Sequence, residues 1–502
     1  MEEELRTGLA ADTRRRDDRA PRNEEIRKAR ARFDDELQKD LLGRHGAPMK
    51  VKQLIPIFVL SIVLLPLASG GERGGTTLTT PPWNHCLGLH KVTQFHLDLY
   101  SGYSAKFRDP QGLFCTKLEM RDDAGTDRDD DELTVFGLDC GENRLIYNKG
   151  LTSIGMVGGA GGGRLRFAHP FSLSGDERGN IYVADTGNDR IVHLRYLEND
   201  ELAFAGEITG AKGDELDRPT GVALSGGRIY VADSGNDRIA VFDTSRVMLE
   251  SIAPRTEEGR LTGPSTVAAV TDGDEWLYYR DYFVVVVDSL GQRIWKLSPK
   301  GEVLGIARHH PPEGAFGHVA VDYYGNIYAT DARNGCIHKF NRHLDYIMAF
   351  GESGTGNDQF DEPRGIAIYR RFGQIFVSER AGAQYYWIGT DIIRFSARNL
   401  TLDLSRGRIG VDVSFVLTEH SFVSLILEDD RGDERATILD DYLLPAGSFE
   451  RRLEFPCADL ELLANCKVRL VMSAKPTYSS RAFLDVERES RFLEAHVSTD
   501  SD

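Results

Sequence analysis

Pro219-Thr-Gly-Val-Ala223 is followed by Arg228-Ile-Tyr-Val-Ala-Asp233 and then by Asn236-Asp-Arg-Ile-Ala-Val241. Each piece is short and rich in β-branched or aromatic residues, and the residues between the pieces are mainly Gly, Ser, Asp and Asn. Such runs separated by turn residues are typical of antiparallel hairpins. The stretch therefore predicts three consecutive strands.

The same pattern occurs six times in the chain. Its middle run is found at 133–139, 180–185, 228–233, 282–288, 326–331 and 374–379. In each unit one residue marks the start of the first strand, and it is a proline in every unit except the fifth. These residues are Pro110, Pro170, Pro219, Pro264, Phe316 and Pro363, at intervals of 45 to 60 residues. A fourth apolar stretch precedes most of the next repeats. Units of 40 to 50 residues with about four strands are typical of β-propeller blades. The sequence predicts an all-β fold built around a six-bladed β-propeller.

Three segments of these units resemble the NHL repeat family. They are the lead-in Pro-x-Gly-Ile-Ala, the strand Asn-Ile-Tyr-Val-Ala-Asp and the following Asn-Asp-Arg-Ile. The second and third units match closely, and the sixth matches at Pro363 to Ile368. The resemblance covers roughly residues 110 to 395, and it implies a fold and not a function.

The amino-terminal region has two interpretations. Residues 1–48 are too polar to pack alone and are expected to be disordered or a mis-assigned extension. Residues 49–70 begin with Met49-Lys-Val-Lys52, continue with an apolar run from Leu54 to Leu67 and end with small residues, as secretory signal peptides do. The alternative is a single amino-terminal membrane helix, although the run is short for one. Both interpretations predict an extracytoplasmic protein, either periplasmic, on the cell surface or secreted.

The remaining boundaries follow from changes in the pattern. Residues 71–91 are predicted to be a linker, 92–404 the propeller, 405–490 a small β-sandwich and 491–502 a disordered tail. A propeller must hide its strand edges. Residues 92–100, or failing them Asn399 to Leu404, are therefore expected to complete the outer edge of the sixth blade.

The predicted sandwich consists of short alternating strands such as Val411–Leu417 and Phe422–Leu427. Its sequence is similar to the immunoglobulin-like domain of the flagellar hook-cap family and to carboxy-terminal sorting domains of secreted bacterial proteins. The chain has six cysteines. Cys457 and Cys466 could form a disulfide inside this domain, or both could be free thiols.

An Asp ends the middle strand in five of the six units and is a candidate site residue: Asp139, Asp185, Asp233, Asp288 and Asp331. An Asp at a hairpin turn accepts hydrogen bonds from nearby backbone N–H groups, so a structural role is expected. Arg190, Arg238 and Arg293 recur in register and could pair with these carboxylates between blades. No catalytic residue is predicted.

The resemblance to NHL propellers raises the alternative of a metal site. An amidating lyase that cleaves peptidyl hydroxyglycine resembles these propellers and binds zinc through three histidines. His169 and His318 lie near the start of two inner strands and are weak candidates. Zinc needs three or four converging ligands, and His309 and His310 lie in a connector between blades. The sequence therefore predicts no metal and no cofactor, with a metal-dependent lyase or hydrolase at the channel mouth as the alternative function.

The sixth unit contains three consecutive aromatic residues, Tyr385, Tyr386 and Trp387. They are predicted to lie in an expanded loop, Ala381–Thr390, where they could stack against a sugar ring or a peptide side chain. Alternatively, they pack against the sandwich. The net charge of −17 disfavours a nucleic-acid partner. The sequence thus favours a non-catalytic binding or cell-envelope scaffold for protein or carbohydrate. Association with a membrane or with the cell envelope is compatible with this prediction.

Overall fold

The structure is a computed structural model, and its interpretable part comprises 77–81, 90–101, 105–122, 132–149, 153–257, 259–289, 291–310, 313–356, 358–457, 460–464, 467–482, 484, 486–489, 493 and 496–498. The predicted extension (1–48) and the predicted signal peptide or anchor (49–70) lie outside these residues. Within them, no helix is long and apolar enough to cross a membrane.

Six antiparallel sheets, numbered here in chain order, follow the six sequence units. Sheet 1 contains β3 (Pro110–Lys117), β4 (Leu133–Asp139), β5 (Arg144–Asn148) and β6 (Ile154–Gly158). Sheet 2 contains β7 (Pro170–Gly175), β8 (Asn180–Asp185), β9 (Arg190–Tyr196) and β10 (Leu202–Ile208). Sheet 3 contains β13 (Pro219–Ser225), β14 (Arg228–Asp233), β15 (Arg238–Asp243) and β16 (Met248–Ile252).

The other three sheets have the same strand order. Sheet 4 contains β19 (Thr266–Val270), β20 (Phe283–Val287), β21 (Arg293–Leu297) and β22 (Val303–Arg308). Sheet 5 contains β23 (Val319–Val321), β24 (Ile327–Asp331), β25 (Cys336–Phe340) and β26 (Tyr346–Phe350). Sheet 6 contains β29 (Ile366–Tyr369), β30 (Gln374–Glu379) and β31 (Gly382–Ile388), joined by β1 (Leu78–Thr79) and β2 (Lys91–Thr93).

Small elements lie between the sheets. They are β11 (Gly210–Ala211), β12 (Asp214–Glu215), β17 (Arg255–Thr256), β18 (Gly259–Arg260), β27 (Glu352–Ser353), β28 (Gln359–Phe360) and the helix α1 (Gln94–Ser101). Short 3-10 turns follow the second strand of sheets 1, 2 and 3. Each ends at a residue with positive φ, namely Asn143, Asp189 or Asp237. Asn and Asp tolerate this left-handed conformation better than other non-glycine residues do, so the repeated Asn-Asp of the sequence has a structural reason.

The sheets form a ring. The first strands β3, β7, β13, β19, β23 and β29 contact one another in that order, and β29 also contacts β3. Each pair of neighbouring sheets shares a buried apolar cluster. Tyr182 and Ile229, for example, belong to the cluster between sheets 2 and 3, and Trp295 belongs to the one between sheets 3 and 4. The ring thus encloses a central channel and buries its apolar side chains between sheets.

The amino-terminal segment closes the ring, but not with the residues that the sequence predicted. Leu78 pairs with Ile388, and Lys91 pairs with Gln384, so β1 and β2 together cover the free edge of β31. From Gln94 to Ser101 the chain is helical. The prediction of a strand over 92–100 was therefore wrong beyond Thr93, and the supposed linker 71–91 contains strand β1.

Two further sheets form the carboxy-terminal part. One has the order β36 (Gly447–Pro456), β33 (Arg408–Leu417), β32 (Ile392–Asp403) and β39 (His496–Ser498). The other has the order β35 (Glu434–Leu444), β34 (Ser421–Glu428), β37 (Arg469–Pro476) and β38 (Val486–Glu489), and the region also includes α2 (Leu460–Leu463) and a 3-10 turn at Ser479–Ala482. One apolar core, including Val411, Phe415 and Leu425, joins both sheets into a sandwich.

The limits of this sandwich differ from the predicted ones. Its first strand begins at Ile392, before the expected boundary at 404, because the segment from Asn399 to Asp403 belongs to β32, which pairs with β33. The predicted disordered tail, 491–502, contains β39, which pairs in parallel with β32. The sandwich thus includes an inner strand, β32, and an edge strand, β39, that lie outside the sequence range in which its strand pattern was recognised.

The sandwich contacts sheet 5 through buried polar groups. Lys339 Nζ lies 2.6 Å from Glu419 Oε2, and both side chains are completely buried. The ring of His420 stacks on Tyr324 with a centroid distance of 3.8 Å. Asn326 Nδ2 donates to Glu419 Oε1 at 3.0 Å. A buried ion pair with satisfied hydrogen bonds fixes a contact geometry more than it stabilises the fold.

Candidate functional site

The central channel contains a cavity of about 620 Å³, lined by the first strands of the sheets. Phe171 of sheet 2 and His318 of sheet 5 meet across the ring axis, with stacked rings 5.0 Å apart between centroids. His318 Nε2 also lies 3.4 Å from the Phe171 carbonyl oxygen. Because sheets 2 and 5 are opposite in the ring, this contact narrows the channel near the start of the first strands.

Charged side chains line the other end of the cavity. Arg370 reaches across the channel and donates to the carbonyl oxygens of Val321 and Ala269 at 3.1 and 3.0 Å. Its guanidinium also contacts Asp274 Oδ2 at 3.2 Å. Burial raises the pKa of Glu177, which accepts a hydrogen bond from Trp276 Nε1. Arg370 and Asp274 are thus held by contacts with the ring itself.

The structure does not bring the two candidate histidines into one metal site. His169 is exposed, and its backbone N–H donates to Asn143 Oδ1 at 2.7 Å. His318 is buried, and burial lowers its pKa to about 4. Among the described residues, neither histidine belongs to a group with metal-ligand spacing.

The three aromatic residues of sheet 6 lie in a strand and not in a loop. Tyr385, Tyr386 and Trp387 are part of β31, which pairs with β30 after a tight turn, so the predicted loop 381–390 was wrong. Tyr386 and Trp387 are buried. The local reason is that a run of bulky aromatic residues fits a pleated, half-buried surface better than a turn.

Tyr385 lines a second cavity, of about 300 Å³, at the seam between sheets 6 and 1. Its ring stacks on Phe376 with a centroid distance of 4.6 Å. Leu113 and Val135 of sheet 1 form the opposite wall, and Leu97 of α1 contributes from the amino-terminal segment. Sequence reasoning missed this cavity, because it did not anticipate the helix that lies beside it.

The repeated Asp residues lie at hairpin turns, as expected. Asp185 Oδ1 accepts a hydrogen bond from the backbone N–H of Ala168 at 2.6 Å, and Asp185 Oδ2 lies 2.8 Å from Arg190 Nε. The corresponding pairs are Asp139–Arg144, Asp233–Arg238 and Asp288–Arg293. Each pair lies within one sheet, so the suggestion of ion pairs between blades was wrong. The pairing within one sheet could have been predicted from the strand register, because the aspartate and the arginine stand opposite each other across the hairpin, as Asp185 and Arg190 do.

Sheet 5 lacks this pair. Cys336 stands opposite Asp331, where sheets 1 to 4 have arginine. Two histidines, His309 and His338, contact the carboxylate of Asp331 instead. Sequence reasoning noticed His309 but not His338, although the replacement of arginine by cysteine in register was a visible signal.

Four cysteines, Cys115, Cys140, Cys336 and Cys457, are free thiols in the part of the chain that the structure describes. Burial raises the pKa of the Cys115 thiol above its usual value, which makes that thiol a poor nucleophile. Because Cys457 is free, the structure does not contain the suggested disulfide between Cys457 and Cys466, and Cys466 itself lies outside the described residues.

The ring of sheets defines a protein of the β-propeller class. Residues 216–242, which include all of β13 and β14 and most of β15, match the family model of the NHL repeat. No curated protein matches the sequence.

Three solved structures are similar to the chain. Virginiamycin B lyase from Staphylococcus aureus is 12% identical over 51% of this chain and 77% of its own length, with a TM-score of 0.36. Hydrazine synthase from Kuenenia stuttgartiensis is 16% identical over 62% and 79%, with a TM-score of 0.38. The Cps50 (Swd1) β-propeller domain from Myceliophteria thermophila is 12% identical over 51% and 80%, with a TM-score of 0.36.

Proposed function

We propose that the chain is a six-bladed, NHL-type β-propeller with a carboxy-terminal immunoglobulin-like sandwich, and that it acts as a non-catalytic binding module. The observation that carries this proposal is the cavity of about 300 Å³ at the seam between sheets 6 and 1, with Tyr385 in its wall. Cavities of this size lie at the lower end of the range that binds ligands.

Fewer apolar side chains are buried between sheets 6 and 1 than between sheets 2 and 3. Its buried apolar cluster contains Cys115, Ala367 and Tyr369. The cluster between sheets 2 and 3 contains ten buried residues. Protein interiors are normally close-packed, so space at one sheet contact is a feature that a ligand can use.

The chemistry of the wall favours an apolar ligand. Gln374 Nε2 donates to Tyr385 Oη at 2.8 Å, and Trp387 Nε1 donates to the same oxygen at 2.7 Å. Asn148 is held by Leu133 and Val135 of the neighbouring strand. Because these polar groups bond to one another, they offer little to the hydroxyl groups of a sugar. An aliphatic or aromatic side chain of a protein partner fits this cavity better than a carbohydrate.

We also propose that this binding takes place outside the cytoplasm. The support is the order of a basic start at Met49–Lys52, an apolar run and small residues at 68–70. Amino-terminal sequencing of the mature chain should then give a start near Gly70 or Gly71. Recovery of residues 1–48 on the mature chain would favour the membrane-anchored alternative.

The binding site is tested by filling the cavity. Ala383 lies partly buried in the wall, so Ala383→Phe should occupy the space without disturbing the fold. The probes are displayed random peptides selected on the full chain, and the selected peptides should carry aromatic or aliphatic anchors. Their binding should fall at least about tenfold in Ala383→Phe, which corresponds to about 1.4 kcal/mol.

Ala205→Phe is the matched control, because Ala205 is exposed on the outer strand of sheet 2. The control should bind the peptides as the unchanged chain does. Equal binding by Ala383→Phe would exclude the seam cavity. A lyase activity that required His169 and His318 would instead support the metal-dependent enzyme.

A further inference from the structure

His309, Asp331 and His338 form a compact group of possible metal ligands. His309 Nε2 lies 2.8 Å from Asp331 Oδ2, and His338 Nε2 lies 3.4 Å from the same oxygen. One ligand atom from each residue lies within 4.8 Å of the others. His309 comes from the connector after β22, whereas Asp331 and His338 belong to β24 and β25 of sheet 5.

Cys336 lies beside this three-residue group and is the nearest candidate for a fourth donor, although its Sγ does not converge with all three ligand atoms. Its Sγ lies 3.7 Å from His338 Nε2. Zinc binds nitrogen, oxygen and sulfur at about 2.0 to 2.3 Å, which places tetrahedral ligand atoms about 3.3 to 3.7 Å apart. The distances from His338 Nε2 to Asp331 Oδ2 (3.4 Å) and to Cys336 Sγ (3.7 Å) match that spacing, whereas His309 Nε2 and Asp331 Oδ2, at 2.8 Å, would move slightly apart around an ion. Two imidazoles, a carboxylate and a thiolate are also ligand types that zinc binds in proteins.

The carboxylate is oriented by its own hydrogen bonds. Asn334 Nδ2 donates to Asp331 Oδ2 at 2.6 Å. The backbone N–H groups of Arg333 and Asn334 donate to Asp331 Oδ1 at 3.1 and 3.0 Å. Outer partners of this kind fix a metal-ligating group in place.

The group is closed to solvent. The relative exposures of His309, Asp331, His338 and Cys336 are 5%, 0%, 4% and 7%. The ring of Phe316 lies 4.6 Å from that of His309 and 5.4 Å from that of His338, measured between centroids. A Cβ at Gly314 would lie only 2.2 Å from His309 Cε1 and 2.5 Å from Asp331 Oδ2. Glycine therefore lets the connector pack directly on the group.

We propose that His309, Asp331, His338 and Cys336 bind one zinc ion in a closed, structural site. The ion joins the connector between sheets 4 and 5 to the hairpin turn of sheet 5. It replaces the arginine that holds the equivalent aspartate in sheets 1 to 4. The site is separate from the channel histidines and from the seam cavity, so it is independent of the proposed binding function.

The first test measures metal content in the full chain. After loading with zinc and extensive dialysis, elemental analysis should find one zinc ion per chain. His309→Gln should lose the bound zinc, whereas His310→Gln should retain it, because His310 is the exposed neighbour in the same connector. Added zinc should raise the melting temperature of the unchanged chain and of His310→Gln but not that of His309→Gln.

The second test identifies the ligands with cobalt. The cobalt-loaded chain should show tetrahedral ligand-field absorption together with a thiolate-to-cobalt charge-transfer band. Cys336→Ser should lose the charge-transfer band. Asn334→Ala should weaken zinc binding by about 10- to 100-fold, as expected for an outer-shell partner.

Three results would overturn the proposal. The first is that the folded wild-type chain binds no zinc. The second is that His309→Gln binds zinc as tightly as the wild-type chain. The third is that the charge-transfer band persists in Cys336→Ser. In the first two cases the histidines would act only as hydrogen-bond partners that replace an arginine. The circular dichroism spectrum of each variant shows whether the fold is retained. His338→Gln provides a second histidine variant if His309→Gln does not fold.

Discussion

Sheets 2 and 5 have similar sequences in their second strands but different surroundings. Asn180-Ile-Tyr-Val-Ala-Asp185 corresponds to Asn326-Ile-Tyr-Ala-Thr-Asp331. The preceding turns are also equivalent, since Asp176 Oδ1 accepts from the backbone N–H of Asn180 at 2.9 Å and Asp322 Oδ1 from that of Asn326 at 2.8 Å. The backbone of the two hairpins therefore depends on the same few residues.

The third strands of the two sheets differ. His193 stands opposite Tyr182 in sheet 2 and stacks on it, with centroids 4.4 Å apart. Lys339 stands opposite Tyr328 in sheet 5, and its Nζ lies 4.8 Å from the ring centroid and 2.6 Å from Glu419 of the sandwich. The repeat keeps the residues that make turns and varies those that meet something outside the sheet. The differences between repeats are therefore better guides to function than the shared residues.

The largest effect is expected from Lys339→Met. This change leaves the carboxylate of Glu419 buried without its cation, and such a loss costs about 3 to 5 kcal/mol. The measurement is urea unfolding of the full chain, followed by circular dichroism. His193→Met changes the same register position in sheet 2 and should cost much less, because no buried carboxylate depends on it. Equal costs for both variants would contradict the distinction between the two sheets.

A smaller loss is expected from Arg190→Met in sheet 2. Asp185 is completely buried and would lose its guanidinium partner, although Ala168 and Asn188 would still donate hydrogen bonds to it. The expected cost is about 3 kcal/mol, at the lower end for a broken buried pair. Unfolding in urea measures it. Arg195→Met on the same strand is the control, since Arg195 is exposed. A cost below that of the control would mean that the aspartate turn needs no arginine.

The third prediction concerns pH and the buried carboxyl of Asp322. Burial, followed by the negative charge of Glu419, raises the pKa of Asp322 above its usual value. The folded protein therefore keeps a proton that the unfolded chain releases. Stability should fall as pH rises above about 4, by at most about 1.4 kcal/mol per pH unit for this single group.

Asp322→Asn should remove this contribution while keeping an oxygen for the two backbone N–H groups. The stability of the variant relative to the unchanged chain should therefore rise between pH 5 and pH 8. Asp176→Asn is the matched control in sheet 2 and should show no such relative gain. A constant difference between variant and unchanged chain across that range would contradict the raised pKa.

The sequence pattern predicted the hairpins of sheets 1 to 5 because each alternates apolar residues and ends at an Asp turn. It failed in sheet 6, where Thr390–Arg394 looked like the second strand of the hairpin. The aromatic run 385–387 forms that strand instead, and Ile392 starts the sandwich. Local pattern cannot decide between two apolar runs when the choice depends on which neighbouring sheet recruits each of them.

The candidate sites were less predictable than the strands. The seam cavity depends on the packing of α1 against sheets that are distant in sequence, as the neighbours Leu97 and Leu133 illustrate. The group around Asp331 combines residues from a connector and two strands. In the sequence, this group is marked only by Cys336, which occupies the position that arginine has in sheets 1 to 4. That substitution indicates the loss of the aspartate–arginine pair but not the presence of the two histidines.

The smallest effect at neutral pH is expected where sheets 2 and 5 meet across the channel. His318→Phe keeps an aromatic ring against Phe171 but loses a weak contact with its carbonyl oxygen at 3.4 Å. A change of similar volume in a packed site should cost less than about 1.5 kcal/mol at pH 7. Burial lowers the pKa of His318 to about 4, below the value of about 6.5 in an unfolded chain. The unfolded state therefore binds a proton first as pH falls, and the unchanged chain should lose stability between about pH 6.5 and 4.

His318→Phe should lack this loss, whereas His169→Phe, at an exposed position, should keep it. Unfolding in urea at pH 7 and pH 5 measures both variants. If His318→Phe loses as much stability on acidification as the unchanged chain, the histidine is protonated in the folded protein and the channel is wetter than its stacked rings indicate.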